Sequence, residues 1–238
     1  MKNVILALLL TLASTSALAA NTDVSVGVAS DYLYRGQSVT NGDPTVFGSV
    51  KFDNVVVNKA YISVDGVVVN LAPLNASKTV RADVGVGYAF DVTKNLSLDL
   101  SVHRVWNPVV QASDYNEARA QATFAVTDKF SVYGRVAKAG ANTVLNDWYF
   151  AGGADYKGFM TPKLSVGALV SAVDSTHGGN VKFNNAEIYA SYDIYKGLSA
   201  FGMYSFGGST ANRVLQNQVV LNSTNIPDGG MIGVRYSF

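Results

Sequence analysis

The chain has no cysteine, two histidines, five prolines, and charges that nearly cancel, with 18 basic residues against 17 acidic ones. Without thiols, neither a disulfide framework nor a thiolate metal centre can form. Two histidines are too few for a histidine-based metal site. A formal net charge of +1, which already counts Lys2, lacks the basic excess or basic stripe of a nucleic-acid binder. There is no phosphate-binding glycine loop and no cluster with metal-ligand spacing, so no cofactor is expected. The one continuous apolar run, Val4 to Leu12, is too short for a spanning helix, which needs roughly 18 to 20 residues. Any membrane protein made from this chain is not a helical one.

That short run has a different meaning. Lys2 precedes it and Ala17-Leu18-Ala19 follows it, which is the pattern of a secretory signal with a small-x-small cleavage site. Residues 1–19 are therefore read as a removed signal peptide and residues 20–238 as one exported domain. Tyr, Phe, Val, Gly, Ser and Thr dominate that domain, while Leu and Glu are modest, and this is the composition of strands.

A repeat organises the domain. Ile62-Ser63-Val64, Leu96-Ser97-Leu98, Phe130-Ser131-Val132, Leu164-Ser165-Val166 and Leu198-Ser199-Ala200 recur with their serines 34 residues apart, each shortly after a lysine. A period of this length also occurs in helical arrays, so the pattern inside the repeat decides. Ala82, Val84, Val86, Tyr88 and Phe90 alternate with Arg81, Asp83, Gly85, Gly87 and Ala89. Ala118, Ala120, Ala122 and Phe124 alternate in the same way with Glu117, Arg119, Gln121 and Thr123. A period of two means strands, so the repeating unit is a strand pair.

Short turns precede the serine phrases, and longer polar segments lie around 36–45, 71–78, 107–114, 139–147, 174–182 and 207–229. All five prolines fall outside the inferred strands, as a closed ladder requires. The predicted strands are 23–35, 45–53, 59–70, 79–90, 96–106, 115–126, 130–138, 147–156, 164–173, 183–194, 198–206 and 230–238. Short turns at one end and long loops at the other are the asymmetry of a transmembrane up-and-down antiparallel β-barrel, here of about 12 strands. Both termini then lie on the short-turn, periplasmic side.

The faces distinguish a membrane barrel from a soluble one. The polar face carries Arg81, Asp83, Asp99, Glu117, Arg119, Arg135, Glu187 and Arg235. An arginine facing lipid at mid-depth costs roughly 2–4 kcal/mol, so these side chains are expected to face the lumen. In the last strand Ile232, Val234, Tyr236 and Phe238 share the apolar face. Val234, Tyr236 and Phe238 resemble the terminal assembly signal read by the outer-membrane insertion machinery. The expected partners are thus outer-membrane lipids of a Gram-negative bacterium, the barrel-assembly machinery and small solutes, with a monomer as the default and no nucleic acid.

The segment Ser30-Asp31-Tyr32-Leu33-Tyr34-Arg35-Gly36-Gln37-Ser38, with Asn41-Gly42-Asp43-Pro44 after it, resembles the opening motif of the TorF (Gcw_chp) porin family. That resemblance implies an outer-membrane β-barrel and a channel. Read as residues, the motif ends strand one, with Asp31 and Arg35 on one face at i and i+4. They are either a charge pair at the outer mouth of a pore or a structural pair that holds the first loop.

Asp99, Ser101 and His103 share a face and invite comparison with a catalytic triad. Alternate residues on a strand sit roughly 6.5–7 Å apart, which sets them too far apart for direct hydrogen bonds. No enzyme is expected. The preferred reading is a passive channel for small hydrophilic solutes or ions, with weak selectivity from mixed charges on Asp31, Arg35, Arg81, Asp83, Asp99, Glu117, Arg119, Arg135, Glu187 and Arg235. The alternative is a closed structural or surface-binding barrel.

Overall fold

A computed structural model describes residues 22–40, 42–69, 79–106, 114–140, 147–175, 181–207, 214–215, 219–220 and 228–238. The expected signal peptide, His177 to Asn180 and most of the long polar segments lie outside these residues. Twelve strands close into one antiparallel barrel: β1 (Thr22–Ala29), β4 (Thr45–Asp53), β5 (Ala60–Val69), β6 (Thr79–Asp91), β7 (Leu96–Trp106), β8 (Tyr115–Ala125), β9 (Phe130–Ala139), β10 (Asp147–Lys157), β11 (Leu164–Ser175), β12 (Val181–Tyr195), β13 (Leu198–Gly207) and β16 (Gly229–Ser237). Two short hairpins accompany it, β2 (Leu33–Tyr34) with β3 (Gln37–Ser38) and β14 (Val214–Leu215) with β15 (Val219–Val220). Closure occurs at β1, which pairs with β4 on one side and β16 on the other. The Phe238 N–H extends that seam by donating to the Val24 carbonyl at 2.9 Å.

The strand spans expected from alternation hold to within one or two residues, except for the first. There the wall strand ends at Ala29, and residues 33–38 form a hairpin of their own instead of continuing it. The serine repeat has a structural counterpart in the turns. At Thr93 and again at Thr127, 34 residues on, the hydroxyl accepts from the next two backbone N–H groups but one, Asn95 and Leu96 in one case and Lys129 and Phe130 in the other. The same local hydrogen bonding thus closes the β6–β7 and β8–β9 turns.

The two faces separate by chemistry. The outer face carries exposed Val28, Val86, Leu100, Val102, Val170, Ile188 and Ile232. Aromatic pairs mark its two ends: Tyr88–Phe90 and Tyr236–Phe238 at the short-turn end, Trp148–Phe150 and Tyr204–Phe206 at the other. Among the described residues of the barrel strands, the outer-face charges are Arg104, Lys138 and Asp174, all near the long-loop end. An apolar band between two aromatic belts suits a lipid environment.

Inside, aromatic rings lie flat against the wall because glycine stands directly across the ladder. Tyr61 is opposite Gly87, and its hydroxyl crosses that glycine to donate to Asp99 at 2.7 Å. Tyr189 is opposite Gly167 and in the same way reaches Asp155 at 2.7 Å. Phe47 over Gly27, Phe201 over Gly233, Tyr133 over Gly153 and the His103 ring over Gly85 repeat the arrangement. A Cβ at Gly87 or Gly167 would overlap the tyrosine ring, so each ring would have to swing into the lumen. Gly167→Val is expected to destabilise the barrel by about 1–3 kcal/mol, read as a lower temperature for loss of the folded gel-mobility species. Gly134→Ala, where nothing lies within 4 Å of the added Cβ, is expected to leave that temperature unchanged or slightly raised.

Candidate functional site: a hairpin inside the barrel

The segment between β1 and β4 turns back into the barrel. Leu33 pairs with Ser38 and Tyr34 with Gln37, which leaves Arg35 and Gly36 as a two-residue turn. Both have positive φ, 53° and 79°, the type I′ geometry that matches the twist of a tight hairpin. Glycine adopts that backbone freely, but arginine there is strained by about 1–3 kcal/mol and persists only where surrounding contacts hold it.

Asp31 organises the base of this hairpin and does not pair with Arg35. Its Oδ1 accepts from the Tyr32 N–H at 2.6 Å, from Ser38 Oγ at 2.7 Å and from Thr40 Oγ1. The i, i+4 pairing expected from an extended strand fails because Asp31 stays at the base of the hairpin, bonded to Tyr32, Ser38 and Thr40, while Arg35 sits in the turn at its tip. Arg35 instead reaches the far wall. Its Nη2 donates to both carboxylate oxygens of Glu117 on β8, at 2.7 and 2.8 Å, where Glu117 is 1% exposed. The guanidinium also lies over the Tyr149 ring of β10, 4.0 Å from its centroid. Tyr34 is held between two guanidinium groups, Arg35 at 5.1 Å and Arg81 of β6 at 4.0 Å.

The hairpin backbone is fixed from β12. There the register slips between Ser171 and Ala172, so β12 carries an extra residue and both Asn184 and Asn185 are fully buried. Asn184 Nδ2 donates to the Arg35 carbonyl at 3.1 Å. Asn185 lies so close to Gly36 that a Cβ there would meet its side chain, and its Nδ2 donates to Glu187 at 2.6 Å. On the β16 side the Leu33 N–H reaches Met231 Sδ at 3.5 Å.

A chain of charges continues from Glu117. Arg119 Nε donates to Glu117 at 2.5 Å and Arg119 Nη2 to Asp83 at 2.7 Å. His103 bridges Asp83 through Nδ1 at 2.7 Å and Ser101 Oγ through Nε2 at 3.0 Å. Ser101 and His103 are therefore in direct contact, contrary to the spacing argument, because the imidazole folds back along its own strand over Gly85. The carboxylate of that trio is Asp83 on β6, not Asp99, whose partner is Tyr61.

Below the hairpin, towards the short turns, the interior opens. Asp65 on β5 and Arg135 on β9 are exposed although they face into the barrel. Asp65 stands directly across from Asp83, whose carboxylate is already bonded to Arg119 and His103. Among the described residues Arg135 donates to Gln121, at 2.6 and 2.8 Å. Arg235 is exposed near the short-turn rim, beside Lys163, Lys196 and Asp193.

Of the residues singled out from sequence, Arg35, Arg81, Asp83, Glu117 and Arg119 come together around the hairpin. Asp99, Arg135 and Arg235 stand apart, and Glu187 is held by Asn185 beside the Gly36 backbone of the hairpin turn. Val234 and Tyr236 lie on the outer face with Ile232, and the Tyr236 ring packs edge-on against Phe238. Sequence reasoning missed Tyr34, Asp65, Tyr149, Asn184 and Asn185. Asp65 was accessible from its alternation with Val64 and Gly66, and the bulge from the break in alternation at Asn184-Asn185.

Glu117→Ala would leave Arg35 and Arg119 without their shared carboxylate in a closed interior. Its expected cost is about 3–5 kcal/mol, measured as a fall in the urea midpoint of the folded barrel.

No family model matches the chain, so the resemblance to the TorF family gains no support there, and no curated protein matches. Among solved structures the chain is similar to the KdgM porin, with a TM-score of 0.60 at 12% identity over 92% of this chain and 99% of that one. A second KdgM structure, in complex with disordered oligogalacturonate, gives 0.58 at 13% identity with the same coverage. The NanC porin gives 0.55 at 10% identity over 91% of this chain and 98% of that one. At such identities the likeness is one of fold: this chain is a closed, twelve-stranded antiparallel barrel, similar in fold to those outer-membrane porins.

Proposed function

We propose that the protein is an outer-membrane channel for passive diffusion of small hydrophilic solutes or ions, exported through a cleaved signal peptide. The observation that carries this reading is the pair of exposed charges, Asp65 and Arg135, facing into a closed barrel with an apolar outer face. Side chains of this kind face inward only where water fills the interior. The porin fold of its structural neighbours agrees with a channel. Outer-membrane lipids would surround the apolar band, and Val234, Tyr236 and Phe238 would serve the insertion machinery during assembly.

Selectivity follows from which charges are neutralised. Glu117, Asp83, Arg35 and Arg119 cancel one another at short range, and a compensated pair exerts little field on a passing ion. Asp65 and Arg135 have no oppositely charged partner within salt-bridge distance among the described residues. With exposed inward charges of both signs, the wild-type channel is expected to show weak ion selectivity. In a salt gradient across a planar bilayer, Asp65→Asn should move the reversal potential towards anion preference and Arg135→Gln towards cation preference. Movement of both in the same direction would overturn that assignment.

A closed structural barrel is the second reading, favoured by the Arg35–Glu117 contact across the interior. Single-channel recording decides between them. Discrete conductance steps from folded protein support the channel, and their absence supports the closed barrel.

The Ser101–His103–Asp83 trio is not read as hydrolytic. Ser101 and His103 are buried, and Arg119 Nη1 lies 3.1 Å from the same His103 nitrogen that bridges Asp83. The strand amides around them are engaged in the ladder, so they do not form an oxyanion hole. A fluorophosphonate probe is expected to leave Ser101 unlabelled in the folded protein, as judged by mass spectrometry of its peptide.

A further inference from the structure

We infer that the β2–β3 hairpin is the size-determining constriction of this barrel, and that Arg35 at its tip is the residue that holds it across the lumen. The inference rests on the channel reading above and adds where the passage is narrowest and what sets its width.

The geometry is that of an inserted element, not of a surface loop. Contacts to the hairpin come from opposite parts of the ring: Arg81 on β6, Glu117 on β8, Tyr149 on β10, Asn184 on β12 and Met231 on β16. The Tyr32 ring adds β4 through Phe47, 5.8 Å away. At this level the wall residues are closed off, with Glu117, Asn184 and Asn185 at 1%, 0% and 0% exposure. Further towards the short turns, Asp65 and Arg135 are exposed. The lumen is therefore filled at the hairpin and open beneath it.

Two features show that the tip is held by the wall. Arg35 has a left-handed backbone that arginine adopts at a cost. Its guanidinium satisfies that conformation through a two-oxygen contact with Glu117 and a stacked tyrosine. At the other end Asp31 gathers the Tyr32 amide and the Ser38 and Thr40 hydroxyls, so the hairpin enters as a preformed unit. Such a constriction passes small hydrated ions and compact solutes and rejects solutes of larger cross-section.

The test uses the mature chain in planar bilayers, with conductance and the size of the largest polyethylene glycol that enters as readouts. Arg35→Ala is a mild variant, because Glu117 keeps Arg119 as its partner. A second variant replaces residues 31–40 by a short Gly-Ser linker, which leaves every wall strand intact. Heat-modifiable gel mobility establishes that each variant is folded. Arg35→Ala is expected to raise conductance by about two-fold or more and to admit larger polymers, and the linker variant to do so further. Unchanged conductance and polymer cut-off in both, beside a conducting wild type, would overturn the proposal and leave the channel reading standing. A silent wild type with conducting variants would uphold the hairpin as the obstruction and reject the channel reading. Silence in all three folded proteins would reject both.

Discussion

The main-chain ladder has to close on itself, and the other features of the structure depend on that closure. β1 carries the closure by pairing with β4 and β16 together. A ring without edges satisfies strand N–H and C=O groups within the wall, which is the condition for crossing a lipid layer. It also forces alternate side chains to opposite faces with no freedom to average the two. Apolar side chains and aromatic belts then accumulate outside, and every bulky or charged group on the other face must be accommodated in a confined interior.

Confinement explains the pairing of rings with glycines. A ring projecting straight inward would occupy the lumen, whereas one opposite a glycine can fold down onto the neighbouring strand. Tyr61 and Tyr189 do this and place their hydroxyls on Asp99 and Asp155. The same movement satisfies two carboxylates and keeps the centre of the barrel clear. Confinement also explains the charge distribution. Where the hairpin fills the space, acids and bases are joined in a continuous chain from Arg35 to His103. Where it does not, Asp65 and Arg135 remain facing open lumen.

The hairpin itself is a solution to unpaired backbone. Residues 30–44 leave the ladder at Ala29 and rejoin it at Thr45. Inside the barrel most of their polar groups need partners other than the ladder of a neighbouring wall strand. The segment supplies some of them through its own two-strand pairing and through Asp31, and the bulge at Asn184 supplies another. The left-handed Arg35 is a local cost that tertiary contacts offset, which is why a position unfavourable for arginine can carry the longest reach of any side chain in the loop.

Much of this was legible in the residues. Alternation in segments such as 81–90 and 117–124 determined strands, their faces and inside-out polarity, since a period of two admits no other arrangement. The 34-residue recurrence determined the hairpin count, and the turns at Thr93 and Thr127 show the chemistry that repeats. The sequence by itself did not determine which charges meet. Asp31 and Arg35 looked like partners at i and i+4, and Asp99 looked like the acid beside His103. Both pairings depend on long-range placement. The turn at Arg35 and Gly36 sends the Arg35 side chain to the far wall while Asp31 stays at the hairpin base, and the cross-strand position of Asp83 displaces the second. Periodicity specifies the face on which a side chain lies, but only closure of the ring and the inward fold of one loop bring Arg35 to Glu117, 82 residues away.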